Sequence, residues 1–316
     1  MPRLWVPIIT VVLLAGSAVG VAAQEDPTSR PPIPSAGCGI SKAEAGKQTG
    51  QAITVGASER KWTMHVPTAH DGLEPIPLWL QLHGSGGSGF EMSSLSSQAD
   101  DHGIVVAWPR ASVGNDRWMW WVDDIELDTS LSNPDIAFID ALIEHLGEEL
   151  CVDLARVYAS GYSAGAAGVS ILGCALDDRL AAVAPVARVW ELGEACDAVR
   201  PVPHLAVLGK TDGTCLWEGG LGWAARASLP MVQLYDQTPM PSRMAGIAAR
   251  NGCEPEPLIE AIEGERERWN WACPVGAEVE LIVHDGGHTW MASPWGPYPT
   301  TTEMVWEFFE QHALPE

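Results

Sequence analysis

The stretch RVYASGYSAGAAGVSILGCAL, residues 156–176, passes from an apolar run through Gly161-x-Ser163-x-Gly165 into a run of small residues. The apolar run predicts a buried strand, and residues 164–176 predict a helix that packs closely on a sheet. A tight turn between them strains the serine backbone, and it favours glycine where a side chain would collide with neighbouring backbone. We therefore expect Ser163 Oγ to project above the sheet as a nucleophile. The alternative is a glycine-rich helix start without chemistry.

Strands and helices are predicted to alternate along the chain. In residues 51–55 and 60–67, apolar and polar residues alternate as in two antiparallel strands around the turn GASE. A helix is predicted to begin at Asn133-Pro134, because Ile and Leu recur at three- and four-residue steps from 136 to 150. Further strands are predicted at 76–84, 103–109, 156–161, 180–187, 204–209 and 278–284, and further helices at 164–176, 242–250 and 301–312. This alternation predicts an α/β fold, with a mostly parallel central sheet and helices on both faces.

The N-terminal region reads as an export signal and a linker. Residues 1–23 are apolar after Arg3 and end in Val21-Ala22-Ala23, as a signal peptide does; a membrane anchor is the alternative. Residues 24–37 form a Pro/Ser-rich linker that we expect to be disordered or extended. A lipoprotein is disfavoured because Cys38 lies well beyond the apolar segment. Residues 38–316 are predicted to form a single catalytic domain, secreted to the cell exterior or the periplasm.

Cysteine and charge content narrow the function further. The chain has seven cysteines and no C-x-x-C motif, which argues against a zinc or thioredoxin-like site. Export permits disulfides, and we expect Cys174–Cys196 and Cys253–Cys273, with Cys38–Cys151 as a weaker expectation and Cys215 left over. The net charge of −23 disfavours binding to nucleic acid or anionic membranes. No metal, cofactor or obligate protein partner is expected.

A serine nucleophile needs a base, and nine histidines compete for that role. His288 is the best candidate, because it sits in HDGGHTW just after a late strand, on a loop that can swing back over the sheet edge. His284 lies at the end of that strand and is expected to pack. His83 closes an early strand and is expected to shape the glycine-rich turn after it.

The base in turn needs a carboxylate that fixes its tautomer. Asp212 follows the strand at 204–209 and lies between the serine and the histidine in the chain; Asp236 and Asp285 are alternatives. The order Ser163, Asp212, His288 is the order of an α/β-hydrolase triad.

The developing oxyanion needs two hydrogen-bond donors. One is expected to be the Ala164 amide, directly after the nucleophile. We assign the other to the Ser85 amide in the glycine-rich turn LQLHGSGGSG (80–89), with Gly84 or Gly86 as alternatives. A phosphate-binding loop is disfavoured because no Gly-Lys-Ser/Thr follows.

Five blocks of this sequence resemble secreted α/β-hydrolases of the polyhydroxybutyrate depolymerase-like and feruloyl esterase family. They are LQLHGSGG, CVDLARVYASGYSAGA, AAVAPVA, RPVPHLAVLGKTD and GGHTWM, in the family's order, and the resemblance runs from about residue 50 to 310. It implies a serine esterase with the triad named above. The chain departs from the family pattern at Gly209-Lys210, where His-Gly is usual, and at Met291, where Pro is frequent.

Fifteen tryptophans against four tyrosines and four phenylalanines suggest an aromatic wall around the site. The candidates lie in loops after strands: Trp118, Trp120, Trp121, Trp217 and Trp290. Such a wall suits a hydroxycinnamoyl group, a sugar face or a polyester chain, although each ring could instead pack its own loop. The predicted function is hydrolysis of feruloyl-type polysaccharide esters or hydroxyalkanoate esters. A serine peptidase, or a non-catalytic polymer-binding protein on the same scaffold, remains open.

Overall fold

A single ten-stranded sheet organises the part of the chain that the structure describes. The computed structural model describes residues 29–40, 43–87, 93–111, 113–114, 117–118, 120, 130–222, 237–291 and 299–315. The strands are β1 (Gly46–Val55), β2 (Ser58–Val66), β3 (Ile76–Leu82), β4 (Val105–Pro109), β5 (Val113–Gly114), β6 (Arg117–Trp118), β7 (Val152–Tyr162), β8 (Ala182–Val186), β9 (His204–Gly209), β10 (Leu258–Ile262), β11 (Arg266–Asn270) and β12 (Val279–His284). The sheet order is β1-β2-β4-β3-β7-β8-β9-β12-β11-β10, and β5 pairs with β6 separately.

The six central strands, from β4 to β12 in this order, are parallel to one another. Strands β1 and β2 extend one side antiparallel, and β11 and β10 extend the other. The mostly parallel sheet is therefore confirmed. Since all six central strands run the same way, the loops at their carboxyl ends meet at one edge of the sheet.

Helices cover both faces, as predicted. They are α1 (Ser93–His102), α2 (Pro134–Glu149), α3 (Ala164–Ala175), α4 (Met240–Arg250) and α5 (Thr301–Phe309). Helices α2, α3 and α4 contribute to the apolar core on one face, and α1 and α5 contribute to the core on the other. Asn133 caps α2 by accepting hydrogen bonds from the amides of Asp135 and Ile136, and Thr300 and Glu303 form a capping box on α5. Within the described ranges, no helix is long and apolar enough to cross a membrane.

In the described part of the chain, the sequence prediction missed two pairs of strands and one α-helix. The first is the edge hairpin β10–β11, whose β10 strand is mostly exposed and whose sequence, LIEAIEGERERWN, shows no apolar alternation. The second is α1, where Leu95 and Ala99 are buried within a serine-rich segment. The third is the short β5–β6 pair.

The segment before β1 is held by hydrogen bonds to the start of β7. Ile33 N–H donates to Asp153 Oδ1 at 2.8 Å, and Ser35 N–H donates to Val152 O at 2.9 Å. Residues 31–37 of the predicted linker are thus ordered on the sheet. The predicted signal peptide (1–23) and residues 24–28 lie outside the described residues.

The structure contains all three expected disulfides, Cys38–Cys151, Cys174–Cys196 and Cys253–Cys273. Cys215 is a buried thiol outside these three disulfides. Three disulfides fit a secreted protein.

Candidate active site

Ser163 sits in a strained turn between β7 and α3. Its φ of 57° lies in the left-handed region that residues with a Cβ seldom adopt. A Cβ on Gly161 would lie 2.2 Å from Gly165 O, and one on Gly165 would lie 2.5 Å from Leu82 O. Both flanking positions therefore require glycine, for the steric reason that the sequence motif suggested.

The structure brings Ser163, His288 and Asp212 into one hydrogen-bonded chain. His288 Nε2 lies 2.8 Å from Ser163 Oγ, and His288 Nδ1 lies 2.6 Å from Asp212 Oδ2. Asp212 Oδ1 accepts from the backbone amides of Thr214 at 2.7 Å and Cys215 at 2.9 Å. The carboxylate is thus held by three donors, with only 2% of its side chain exposed.

The other two candidate carboxylates are placed differently. Asp285 is exposed, three residues before His288, and its backbone oxygen accepts a hydrogen bond from Thr211 Oγ1 at 2.7 Å. Asp236 lies outside the described residues. Of the described candidates, only Asp212 bonds to the imidazole.

The loops that carry Asp212 and His288 are in close contact. A Cβ on Gly209 would lie 2.2 Å from Gly286 O, so only glycine allows this approach. His284 is buried, as expected, and its Nδ1 accepts from Gly286 N–H at 3.0 Å. Burial lowers the pKa of His284, which favours the neutral imidazole that this acceptor role needs. The His284 ring therefore fixes the turn that precedes His288.

Tyr162 ties the nucleophile turn to the base loop, a role that the sequence analysis missed. Its hydroxyl donates to His288 O at 3.0 Å, and its ring centroid lies 5.2 Å from that of His288. Burial raises the pKa of Tyr162, so the phenol keeps the proton that it donates. The only signal in the sequence was an aromatic residue between Gly161 and Ser163.

The glycine-rich turn after β3 lies directly beside Ser163. A Cβ on Gly84 would lie 3.1 Å from Tyr162 Cδ1 and 3.3 Å from Ser163 Cβ. His83 shapes this turn: Nε2 accepts from Ala111 N–H at 3.1 Å, so Nδ1 carries the proton and donates to Gly84 O at 2.8 Å. Burial lowers the pKa of His83, which favours this neutral form.

The two predicted oxyanion donors are next to the two residues in this close contact, Gly84 and Ser163. Ser85 follows Gly84 in the turn, and Ala164 is the first residue of α3, where backbone amides have no partner within the helix.

The structure corrects one part of the predicted aromatic wall. Trp120 is only 2% exposed, and its Nε1 donates to His83 O at 2.9 Å, so it supports the glycine-rich turn from within the core and presents no face to a ligand. Trp217 is half-buried and packs edge-on against Trp269 of β11, with ring centroids 6.2 Å apart. Trp118 is in β6, but its side chain is outside the described part of the chain, as is the whole of Trp121.

Trp290 does line a cleft beside the triad. The cleft has a volume of about 430 Å³, and its lining consists of Gln81, His83, the turn Gly84–Gly87, Tyr162 and Trp290. Tyr162 directly precedes Ser163, and Trp290 follows His288 by two residues. The described residues contain no group of three His, Cys, Asp or Glu side chains arranged to hold a metal.

Comparisons with known proteins point to esterases. No protein-family model matches the chain. Feruloyl esterase B of Piromyces equi is 27% identical over 263 residues, which cover 81% of this chain but only 46% of that enzyme. Feruloyl esterase C of Emericella nidulans is 25% identical over 287 residues, covering 86% of this chain and 92% of the relative.

The fold recurs in solved esterases. The acetyl xylan esterase from Aspergillus awamori superposes with a TM-score of 0.57 at 13% identity, over 83% of this chain and 98% of that one. The chain therefore has the α/β-hydrolase fold, and over most of its length it is similar in sequence to feruloyl esterases.

Proposed function

We propose that this protein is a secreted serine esterase that cleaves feruloyl-type esters of plant polysaccharides through Ser163, His288 and Asp212. The observation that carries the proposal is the hydrogen-bonded chain from Ser163 Oγ through both ring nitrogens of His288 to Asp212 Oδ2, with distances of 2.8 and 2.6 Å. The names of the relatives support feruloyl esters over hydroxyalkanoate esters, the other substrate class considered from the sequence.

The reaction runs in two acyl transfers. Ser163 Oγ attacks the ester carbonyl carbon while His288 Nε2 takes the hydroxyl proton. The bond from the carbonyl carbon to the alcohol oxygen then breaks, and that oxygen takes the proton from Nε2. In the second half, Nε2 takes a proton from water as the water oxygen attacks the acyl carbon. The acyl bond to Ser163 breaks, Oγ recovers its proton, and the carboxylic acid leaves.

Each supporting group has a defined task in this scheme. Asp212 accepts from Nδ1–H, so Nε2 faces the serine with its lone pair, and the carboxylate stabilises the imidazolium that forms. The amides of Ala164 and Ser85 donate to the carbonyl oxygen as it gains charge, and the positive end of the α3 dipole lies at the same place. Loss of a single oxyanion donor typically costs about 10²–10³-fold in kcat.

Export and solubility outside the cell fit the remaining features of the chain. Three disulfides cross-link the described part of the chain, as export permits. The net charge of −23 disfavours binding to anionic surfaces. The proposed partners are therefore the ester substrate and, where that ester decorates a polymer, the polymer itself.

The test is Ser163→Ala, assayed with 4-nitrophenyl acetate and methyl ferulate. Turnover should fall at least about 10⁴-fold, because the nucleophile is lost, while the thermal midpoint stays near that of the wild type. Ser97→Ala, at an exposed serine in α1, is the matched control and should retain full activity. Turnover by Ser163→Ala at more than about one tenth of the wild-type rate would refute the nucleophile.

Two further assays separate the alternative functions. A nitroanilide of the same acyl group cleaved as fast as its nitrophenyl ester would indicate a peptidase. A fluorophosphonate probe that fails to label Ser163 would indicate a binding protein without catalysis.

A further inference from the structure

Gln81 is an unusual residue to find at the bottom of the cleft. It lies on β3 and is only 2% exposed, in a strand whose other residues are apolar apart from Pro77. A buried amide must satisfy its hydrogen-bonding groups or lose stability, so its partners show which end of the amide faces the cleft.

A chain of hydrogen bonds fixes the orientation of the Gln81 amide. Trp79 Nε1, which can only donate, gives its proton to Ser160 Oγ at 2.6 Å. The Ser160 hydroxyl in turn donates to Gln81 Oε1. If the amide were flipped, Ser160 Oγ would face two donors and its own proton would lack an acceptor. The oxygen of Gln81 is thus held by Ser160, and Nε2 is the atom left over.

The Gln81 Nε2 group retains donor capacity. It donates to Leu82 O at 3.3 Å, which is long for an N–H···O bond, and the group carries a second hydrogen. Among the described lining residues, the aromatic side chains and His83 donate their protons to acceptors outside the cleft or in its backbone. Trp290 Nε1 donates to Thr302 Oγ1 at 3.0 Å, the Tyr162 hydroxyl donates to His288 O, and His83 donates to Gly84 O.

We propose that Gln81 is a specificity-determining residue whose Nε2–H donates to an oxygen at the far end of the bound acyl group. The cleft then selects acids whose flat, apolar body ends in a hydroxyl or ether oxygen. Its lining suits such a body, because it includes the aromatic residues Tyr162 and Trp290 and the glycine-rich turn. Gln81 lies three residues before Gly84, about 10 Å along an extended chain, which is comparable with the length of a hydroxycinnamoyl group.

This inference rests on the proposed function only in taking the cleft as the acyl side of the site. Gly84, in the glycine-rich turn, lies in near contact with Ser163, so an acyl group held at the nucleophile can extend along β3 towards Gln81.

Two esters of nearly the same shape test the proposal directly. Methyl 4-methoxycinnamate and methyl 4-ethylcinnamate differ only by an oxygen in place of a CH₂ group at the far end. The wild-type enzyme should prefer the methoxy ester in kcat/KM by about tenfold, since an ether oxygen can accept from Nε2–H. In Gln81→Met the preference should vanish. Gln311→Met makes the same chemical change at an exposed glutamine at the end of α5 and should keep the preference.

The ratio is read within one enzyme preparation, so a uniform loss of activity cancels. A wild-type ratio near one, or a Gln81→Met ratio equal to that of the wild type, would overturn the proposal, as would equal losses on both esters. The wild-type comparison needs no variant and so stands even if Gln81→Met fails to fold.

Binding to the Ser163→Ala protein separates this proposal from the proposed function. The Kd values of the two esters, measured by tryptophan fluorescence, should differ by about tenfold with Gln81 and be equal in Ser163→Ala/Gln81→Met. That result would support the specificity role even if the wild type showed no turnover. Equal Kd values with Gln81 present would refute it.

Discussion

Replacing Asp212 by Asn should reverse the tautomer of His288 while leaving the fold intact. Asp212 Oδ1 accepts from two backbone amides, Thr214 N–H and Cys215 N–H, so an asparagine must keep its oxygen there. Its NH₂ group then takes the place of Oδ2, 2.6 Å from His288 Nδ1. A donor at that place makes Nδ1 the acceptor and puts the ring proton on Nε2, so Nε2 faces Ser163 with a proton and can no longer act as a base.

The expected loss in kcat is about 10⁴-fold, equivalent to about 5.4 kcal/mol of transition-state stabilisation. The assay is hydrolysis of 4-nitrophenyl acetate, with the rate of fluorophosphonate labelling as a second measure of the nucleophile. Asp285→Asn makes the same change at an exposed position three residues before the base and should stay within about twofold of the wild type. An Asp212→Asn enzyme within tenfold of the wild-type rate would show that the base does not depend on this carboxylate.

Two further predictions concern the scaffold. Gly165→Ala should destabilise the protein by at least about 1–3 kcal/mol in a denaturant melt, because its Cβ would lie 2.5 Å from Leu82 O. Gly213→Ala, which meets nothing within 4 Å, should be near neutral, and equal losses in the two variants would contradict the argument. Burial, and to a smaller extent the positive charge of Arg250, lowers the pKa of His204 to about 3. Between about pH 6.5 and 3, the unfolded chain therefore binds a proton at this residue that the folded chain does not. From pH 7 to 5 this residue should cost the wild type about 2 kcal/mol of unfolding free energy, and His204→Gln should lose less over the same range; parallel pH profiles would contradict it.

Most of the fold could be predicted because its central strands are buried on both faces. Each of them appears in the sequence as an apolar run, and their parallel arrangement follows from the helices between them. The hairpin β10–β11 could not be predicted in this way, since Leu258 and Ile259 are exposed and charged residues interrupt the apolar ones. Its pairing depends on β12 next to it, which is a tertiary effect.

The candidate site also has a part that the sequence predicts and a part that only the folded structure shows. Ser163, Asp212 and His288 each follow a predicted strand, and parallel strands bring such loops to one edge of the sheet. Chain order was enough to favour Asp212 over Asp285, but the hydrogen bond between His288 Nδ1 and Asp212 Oδ2 is seen only in the folded structure. Trp120 was misassigned for a similar reason. Its indole donates to His83 O beneath the glycine-rich turn, and only the folded structure shows that the ring points inward.

The position of the segment before β1 determines where a carrier protein or a resin can be attached without covering Ser163. Arg30 Nη1 donates to Ala313 O at 3.0 Å, and Leu314 N–H donates to Ala155 O at 2.8 Å, so the two ends of the described chain meet beside the start of β7. Ser163 lies just past the other end of that strand. A carrier protein or a resin joined near residue 29 or residue 315 would therefore hold the molecule beside the start of β7, at the opposite end of that strand from Ser163.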